Sequence, residues 1–117
     1  MKFFIAAALG LAIATPAFAH AFLESALPRV GSDIPTAPTE VVLSYTQGVE
    51  PDFSRIDVQN ASGASVTDGP AHTEGGDKTK LAVKLKKLTP GIYEVIWHVT
   101  SVDTHKTQGK FKFTLTQ

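Results

Sequence analysis

Asp103 and His105 stand two positions apart in Ser101-Val102-Asp103-Thr104-His105, and His20 directly follows Ala17-Phe18-Ala19. On an extended or turning segment, residues i and i+2 project to the same side, so one carboxylate and one imidazole can converge on a single ion. A histidine at a free N-terminus adds two more donors, because its α-amine and ring Nδ1 close a six-membered chelate. An internal histidine offers only its ring. Cleavage after Ala19 therefore gives three nitrogens and one oxygen, a tetragonal set that suits copper(II) in its square-planar preference. An Asp-x-His pair in a loop is, by itself, more often a solvated turn. The pair and an N-terminal histidine together make metal binding the better reading.

The chain has no cysteine, and its single methionine is Met1. Thiolate and thioether ligands are thereby excluded from a processed chain, which favours copper(II), zinc(II) or nickel(II) over soft copper(I). Met1 to Ala19 reads as a secretory signal: Lys2 is its basic end, Phe3 to Ala14 its apolar run, and Ala17-x-Ala19 its cleavage pattern. The apolar run is short for a membrane span, which needs about 20 residues. Residues 20–117 then form one small domain, exported and not membrane-spanning after cleavage. Without Lys2, ten basic residues face eleven acidic ones, so no basic surface marks nucleic acid as a partner.

The elements that must position these donors are strands. Turn residues recur at short intervals, and the stretches between them alternate with period two. The pattern predicts strands at residues 20–27, 40–46, 55–59, 80–86, 91–100 and 109–116, with one edge strand near residues 65–67 followed by a mobile loop. The lysines of residues 80–86 read as protection against edge pairing. The expected fold is all-β, a Greek-key β-sandwich of about seven strands, immunoglobulin-like or cupredoxin-like. Its core centres on Trp97, with Tyr93, Val95, Leu43, Val83, Phe111 and Phe113. Asp103 and His105 fall in the connection between the last two strands.

The start His20-Ala21-Phe22-Leu23-Glu24-Ser25-Ala26-Leu27-Pro28 resembles the opening of the CopC family of periplasmic copper-binding proteins. Val42-Leu43-Ser44-Tyr45, Gly91-Ile92-Tyr93-Glu94-Val95-Ile96-Trp97, Ser101 to His105 and Gly109-Lys110-Phe111-Lys112-Phe113 sit in that family's order and spacing. The resemblance implies a β-sandwich that binds one copper(II) through His20, Asp103 and His105, for copper sequestration, resistance or delivery to a membrane importer or another periplasmic copper protein. It implies no enzymatic turnover. Three positions depart from the family pattern. Thr104 stands where glycine is usual, pointing to a less tightly bent loop. His98 stands where arginine often follows the tryptophan, and Gln47 replaces a glutamate, which weakens support to a ligand. The methionine-rich copper(I) loop of some members is absent.

His72, in Pro70-Ala71-His72-Thr73, reads as a solvated loop residue. His98 reads as a surface residue that pairs with Glu94 or supports the site. Ser101, Asp103 and His105 are crowded onto one loop without a nucleophile elbow, which argues against a hydrolase triad. Two other function classes stay open: a histidine-brace copper monooxygenase and a metal-free β-sandwich interaction module.

Overall fold

Alternation gives each strand one apolar face, and two such faces must meet to leave water. The computed structural model describes residues 21–117. The signal segment, its cleavage point and His20 lie outside the described residues. Eight strands form: β1 (Leu23–Leu27), β2 (Asp33–Ile34), β3 (Glu40–Tyr45), β4 (Arg55–Gln59), β5 (His72–Glu74), β6 (Asp77–Lys84), β7 (Gly91–Thr100) and β8 (Lys106–Leu115). A single 3-10 turn, Pro51–Phe53, precedes β4.

One sheet has the order β1-β3-β6-β5 and the other β2-β8-β7-β4. All pairings are antiparallel except β2 with β8. The chain crosses repeatedly between sheets, so only β5–β6 and β7–β8 are hairpins of successive strands. The result is a Greek-key β-sandwich. Val41, Leu43, Tyr45, Leu81 and Val83 from one sheet meet Tyr93, Val95, Trp97, Val99, Phe111, Phe113 and Leu115 from the other, all buried. Each of the larger side chains contributes about 1.5–3 kcal/mol by leaving water. Tyr93 stacks on Phe113 with centroids 5.4 Å apart, and Tyr45 meets Trp97 edge-on at 5.5 Å. All seven residues expected at the core are in it.

The long β7–β8 ladder runs in register from Gly91↔Leu115 to Thr100↔Lys106. It carries the candidate ligands at its far end and needs one glycine to close. Gly109 lies opposite Trp97, and a Cβ built on it would fall 2.5 Å from Trp97 Cζ2. The indole therefore lies across the backbone of the neighbouring strand, where only glycine leaves room.

Several expectations need correction. Residues 65–67 make only isolated bridges, Gln59↔Ser65 and Thr67↔Leu85, while the edge strand is β5, inside the segment expected to be a loop. A three-residue polar edge strand carries no inward apolar alternation to announce it. β6 is an interior strand, paired with β3 on one side and β5 on the other. Its outward lysines report a solvated face and say nothing about lateral pairing. A register shift between Leu23 and Ser25 changes the phase of β1, so Ala21 and Ala26 are both buried. β8 begins at Lys106, which shortens the connection after β7 to residues 101–105.

A hairpin loop as candidate metal centre

The turn that carries Asp103 and His105 is built on Ser101, the one buried polar residue among the described residues. Its backbone N–H donates to the His105 carbonyl at 2.8 Å, and the Thr104 N–H donates to the Ser101 carbonyl at 2.8 Å. The Ser101 hydroxyl accepts the His105 N–H at 3.2 Å and donates to Asp103 Oδ1. One small side chain thus closes the loop and orients the carboxylate. The remaining twist falls on Thr104, at φ +74°. That left-handed conformation is the one a glycine would take without strain. The expected looser loop is therefore wrong: the tight bend is kept, and a threonine bears its cost.

Asp103 Oδ1 and His105 Nδ1 lie 3.5 Å apart, with side chains 41% and 51% exposed. Metal–ligand bonds of about 2.0–2.2 Å place adjacent donors roughly 3 Å apart, so the two need little movement to share an ion. The Ser101 hydroxyl holds the Asp103 carboxyl below its ordinary range; desolvation opposes it, and His105 adds to the lowering. Asp103 is thus a ready anionic oxygen donor. The same bond decides against the triad reading, because the Ser101 hydroxyl is buried and committed to the carboxylate.

Two other segments converge on this end of the sandwich. Val102 N–H donates to the Gly48 carbonyl at 3.0 Å, Val49 bridges Ser101, and the Glu50 N–H donates to the Thr100 carbonyl at 2.8 Å. Gln47 belongs to that loop. The Thr107 hydroxyl, two residues past His105, donates to the Ala21 carbonyl at 2.9 Å. The start of the described chain is thereby tied to the first turn of β8.

The other histidines lie elsewhere. His98 faces out from β7, opposite Arg55 and Gln108. Its expected pairing with Glu94 fails on strand geometry, since four residues span about 13 Å; Glu94 instead has Lys110 Nζ at 4.0 Å. His98 Nδ1 is buried without a hydrogen-bond partner among the described residues. His72 is half-buried on β5, not a loop residue, with Nε2 4.0 Å from Glu74 Oε1. The role of Ser101 escaped the sequence reading of the site, although a serine two residues before an aspartate is a recognisable short-range hydrogen-bonding pattern.

A family model described as CopC domain matches residues 23–116. Protein YobA of Escherichia coli K12 is 35% identical over 111 residues, covering 93% of this chain and 90% of that one. CopC from Methylosinus trichosporium OB3b superposes with a TM-score of 0.78 at 31% identity, over 83% of this chain and 94% of that one. PcoC, a methionine-rich copper resistance protein from Escherichia coli, superposes at 0.70 with 27% identity, over 83% of this chain and 99% of that one. With the sandwich, the hairpin loop and these matches in agreement, the chain belongs to the CopC domain family.

Proposed function

We propose that this chain is an exported copper(II)-binding protein that sequesters the ion or delivers it to a membrane or periplasmic partner, without enzymatic turnover. Copper is its cargo, bound once per chain by His20, Asp103 and His105. The observation that carries the reading is the tie between the Thr107 hydroxyl and the Ala21 carbonyl. Ala21 is held beside the hairpin that presents Asp103 and His105. Covalent connection then keeps His20 within one Cα step of Ala21, about 3.8 Å. The copper resistance role of the similar PcoC supports the choice of metal. The donor chemistry supports the oxidation state: an ionised carboxylate and imidazole nitrogen, with no sulfur donor after Met1.

Cleavage between Ala19 and His20 is part of the proposal, because it frees the amine. Copper(II) titration of the chain that starts at His20, read by electron paramagnetic resonance, tests it. A tetragonal centre with nitrogen couplings is expected at one ion per chain. Either extending the N-terminus by one residue or His105→Ala should change the spectrum and weaken binding strongly. A wild-type spectrum and affinity in either variant would reject the ligand set.

A further inference from the structure

Glu40, His72 and Glu74 form a second group of metal-ligating side chains, away from the hairpin loop. One donor atom from each lies within 4.8 Å of the other two, and all three residues are half-buried. We propose that they form a second site, one that takes a divalent borderline cation such as zinc(II). The reading is independent of the copper proposal and uses none of its residues.

The fold makes this cluster. Glu40 begins β3 and His72 begins β5, two strands that never touch, because β6 runs between them. The pairing register gives the row Val42↔Ala82↔His72 across the outer face. Ala82 points outward, since its neighbours Leu81 and Val83 both enter the core, yet it is fully buried. Glu40 stands two residues from Val42 on β3, opposite Lys84, so it approaches His72 on the diagonal, where Ala82 offers only a methyl group. His72 and Glu74 stand at i and i+2 on β5, across the register shift between Thr73 and Glu74, and their donor atoms still converge. The floor continues as a groove of about 820 Å³, lined in part by Glu40, Glu74, Ser44 and Lys80.

Charge points to a cation. Glu40 and Glu74 bring two carboxylates to one imidazole, the hard-and-borderline donor set of divalent metal sites. Lys84 is paired with Glu40 in the register, but among the described residues neither glutamate has a lysine or arginine nitrogen within 4.0 Å. Lys80 Nζ donates to Ser44 Oγ at 3.1 Å. Two half-buried carboxylates thus share a small region with one imidazole, in a groove that Arg29 and Lys80 also line, with no lysine or arginine at ion-pair distance among the described residues. A dication held by three protein ligands and completed by water would neutralise them. Donors now up to 4.8 Å apart must close toward roughly 3.3 Å around a zinc ion, a shift that side-chain rotation of two glutamates can supply. Glu40 lies five residues, about 17 Å, along β3 from Tyr45, whose end adjoins the hairpin loop, so one ion cannot serve both groups.

The test is a zinc(II) titration, by calorimetry at neutral pH, of the His105→Ala chain extended by one N-terminal residue, which removes both the imidazole of His105 and the amine chelate of His20 from the hairpin site. One zinc(II) per chain is expected, with binding weakened more than about tenfold by adding either His72→Ala or Glu40→Gln. In the unmodified chain, zinc(II) should also shift the ring resonances of His72 in NMR spectra, and Glu40→Gln should suppress that shift. Dissociation weaker than roughly 1 mM in the extended His105→Ala chain would overturn the proposal, as would zinc binding that His72→Ala leaves unchanged. Failure of the copper reading would appear separately, as copper(II) binding indifferent to His105→Ala.

Discussion

Adding one methyl group at Gly109 should destabilise the domain, although glycine-to-alanine changes within strands ordinarily stabilise by about 0.5–1 kcal/mol. The new Cβ would lie 2.5 Å from Trp97 Cζ2 and 2.9 Å from Cε2, where carbon atoms rest at about 3.5–4.0 Å. The indole would have to retreat by more than ~1 Å. It cannot retreat freely, because Trp97 is 7% exposed and Tyr45 packs edge-on against it. The alternative is for β8 to move away from β7, which breaks ladder bonds just below the turn that carries Asp103 and His105. Overpacking of this kind costs about 1–3 kcal/mol. Set against the strand preference for alanine, the net loss should centre on about 1 kcal/mol. For a domain of this size that lowers the melting temperature by roughly 4–8 °C.

Urea unfolding of Gly109→Ala and wild type, followed by circular dichroism with the emission of the single tryptophan as a second readout where it is present, measures the effect. A lower midpoint with an unchanged slope is expected. In a Trp97→Leu background the clash is gone, so the same change should become neutral or stabilising. A Gly109→Ala protein as stable as wild type, with unaltered emission, would refute the idea that the indole lies across Gly109.

Three further changes probe the core and the loop. Trp97→Ala should cost about 3–5 kcal/mol in the same unfolding assay, and a loss below ~1 kcal/mol would remove Trp97 from the core. Thr104→Gly should raise stability by roughly 0.5–1 kcal/mol, because it relieves a left-handed threonine worth about 1–2 kcal/mol while giving back unfolded-state entropy; a lower melting temperature in the metal-free protein would show that φ +74° is not strained there. Ser101→Ala should move the Asp103 carboxyl back up toward its ordinary range in metal-free protein, read by carbon NMR, since the serine hydroxyl is the main cause of its depression. The sign for stability follows: a carboxyl lower in the folded state stabilises above about pH 4 and loses that contribution as pH falls through its folded value. Asp103→Asn should therefore flatten the acid end of the stability profile, and an unchanged profile would contradict the assignment.

The fold was most legible where one face is buried and the other wet. Residues 55–59 and 91–100 match β4 and β7 to the residue, because Ile56 and Val58, and Tyr93 to Val99, alternate without interruption. Legibility failed where pairing is decided laterally. β2 is two residues long and exists because Asp33 and Ile34 pair in parallel with Thr114 and Leu115. β5 is three polar residues held by β6. Neither leaves a mark in hydrophobic period, since the bonds that make them are between backbones.

The candidate site shows the same division between what spacing fixes and what only folding supplies. The two-residue spacing of Asp103 and His105 gathers side chains on an extended segment, yet the segment is a tight turn. Their convergence comes from the Ser101 hydroxyl and from the left-handed bend at Thr104. His72 and Glu74 have the same spacing on a true strand, but their segment read as a loop, so the pair passed unnoticed. What joins them to Glu40 is a residue with no chemistry of its own. Ala82, one methyl between two strands, brings together side chains 32 residues apart in sequence. A larger residue there would prop β3 and β5 side chains apart while leaving every donor in place, so the proposed second site would depend on the packing of the sheet face as much as on its ligands.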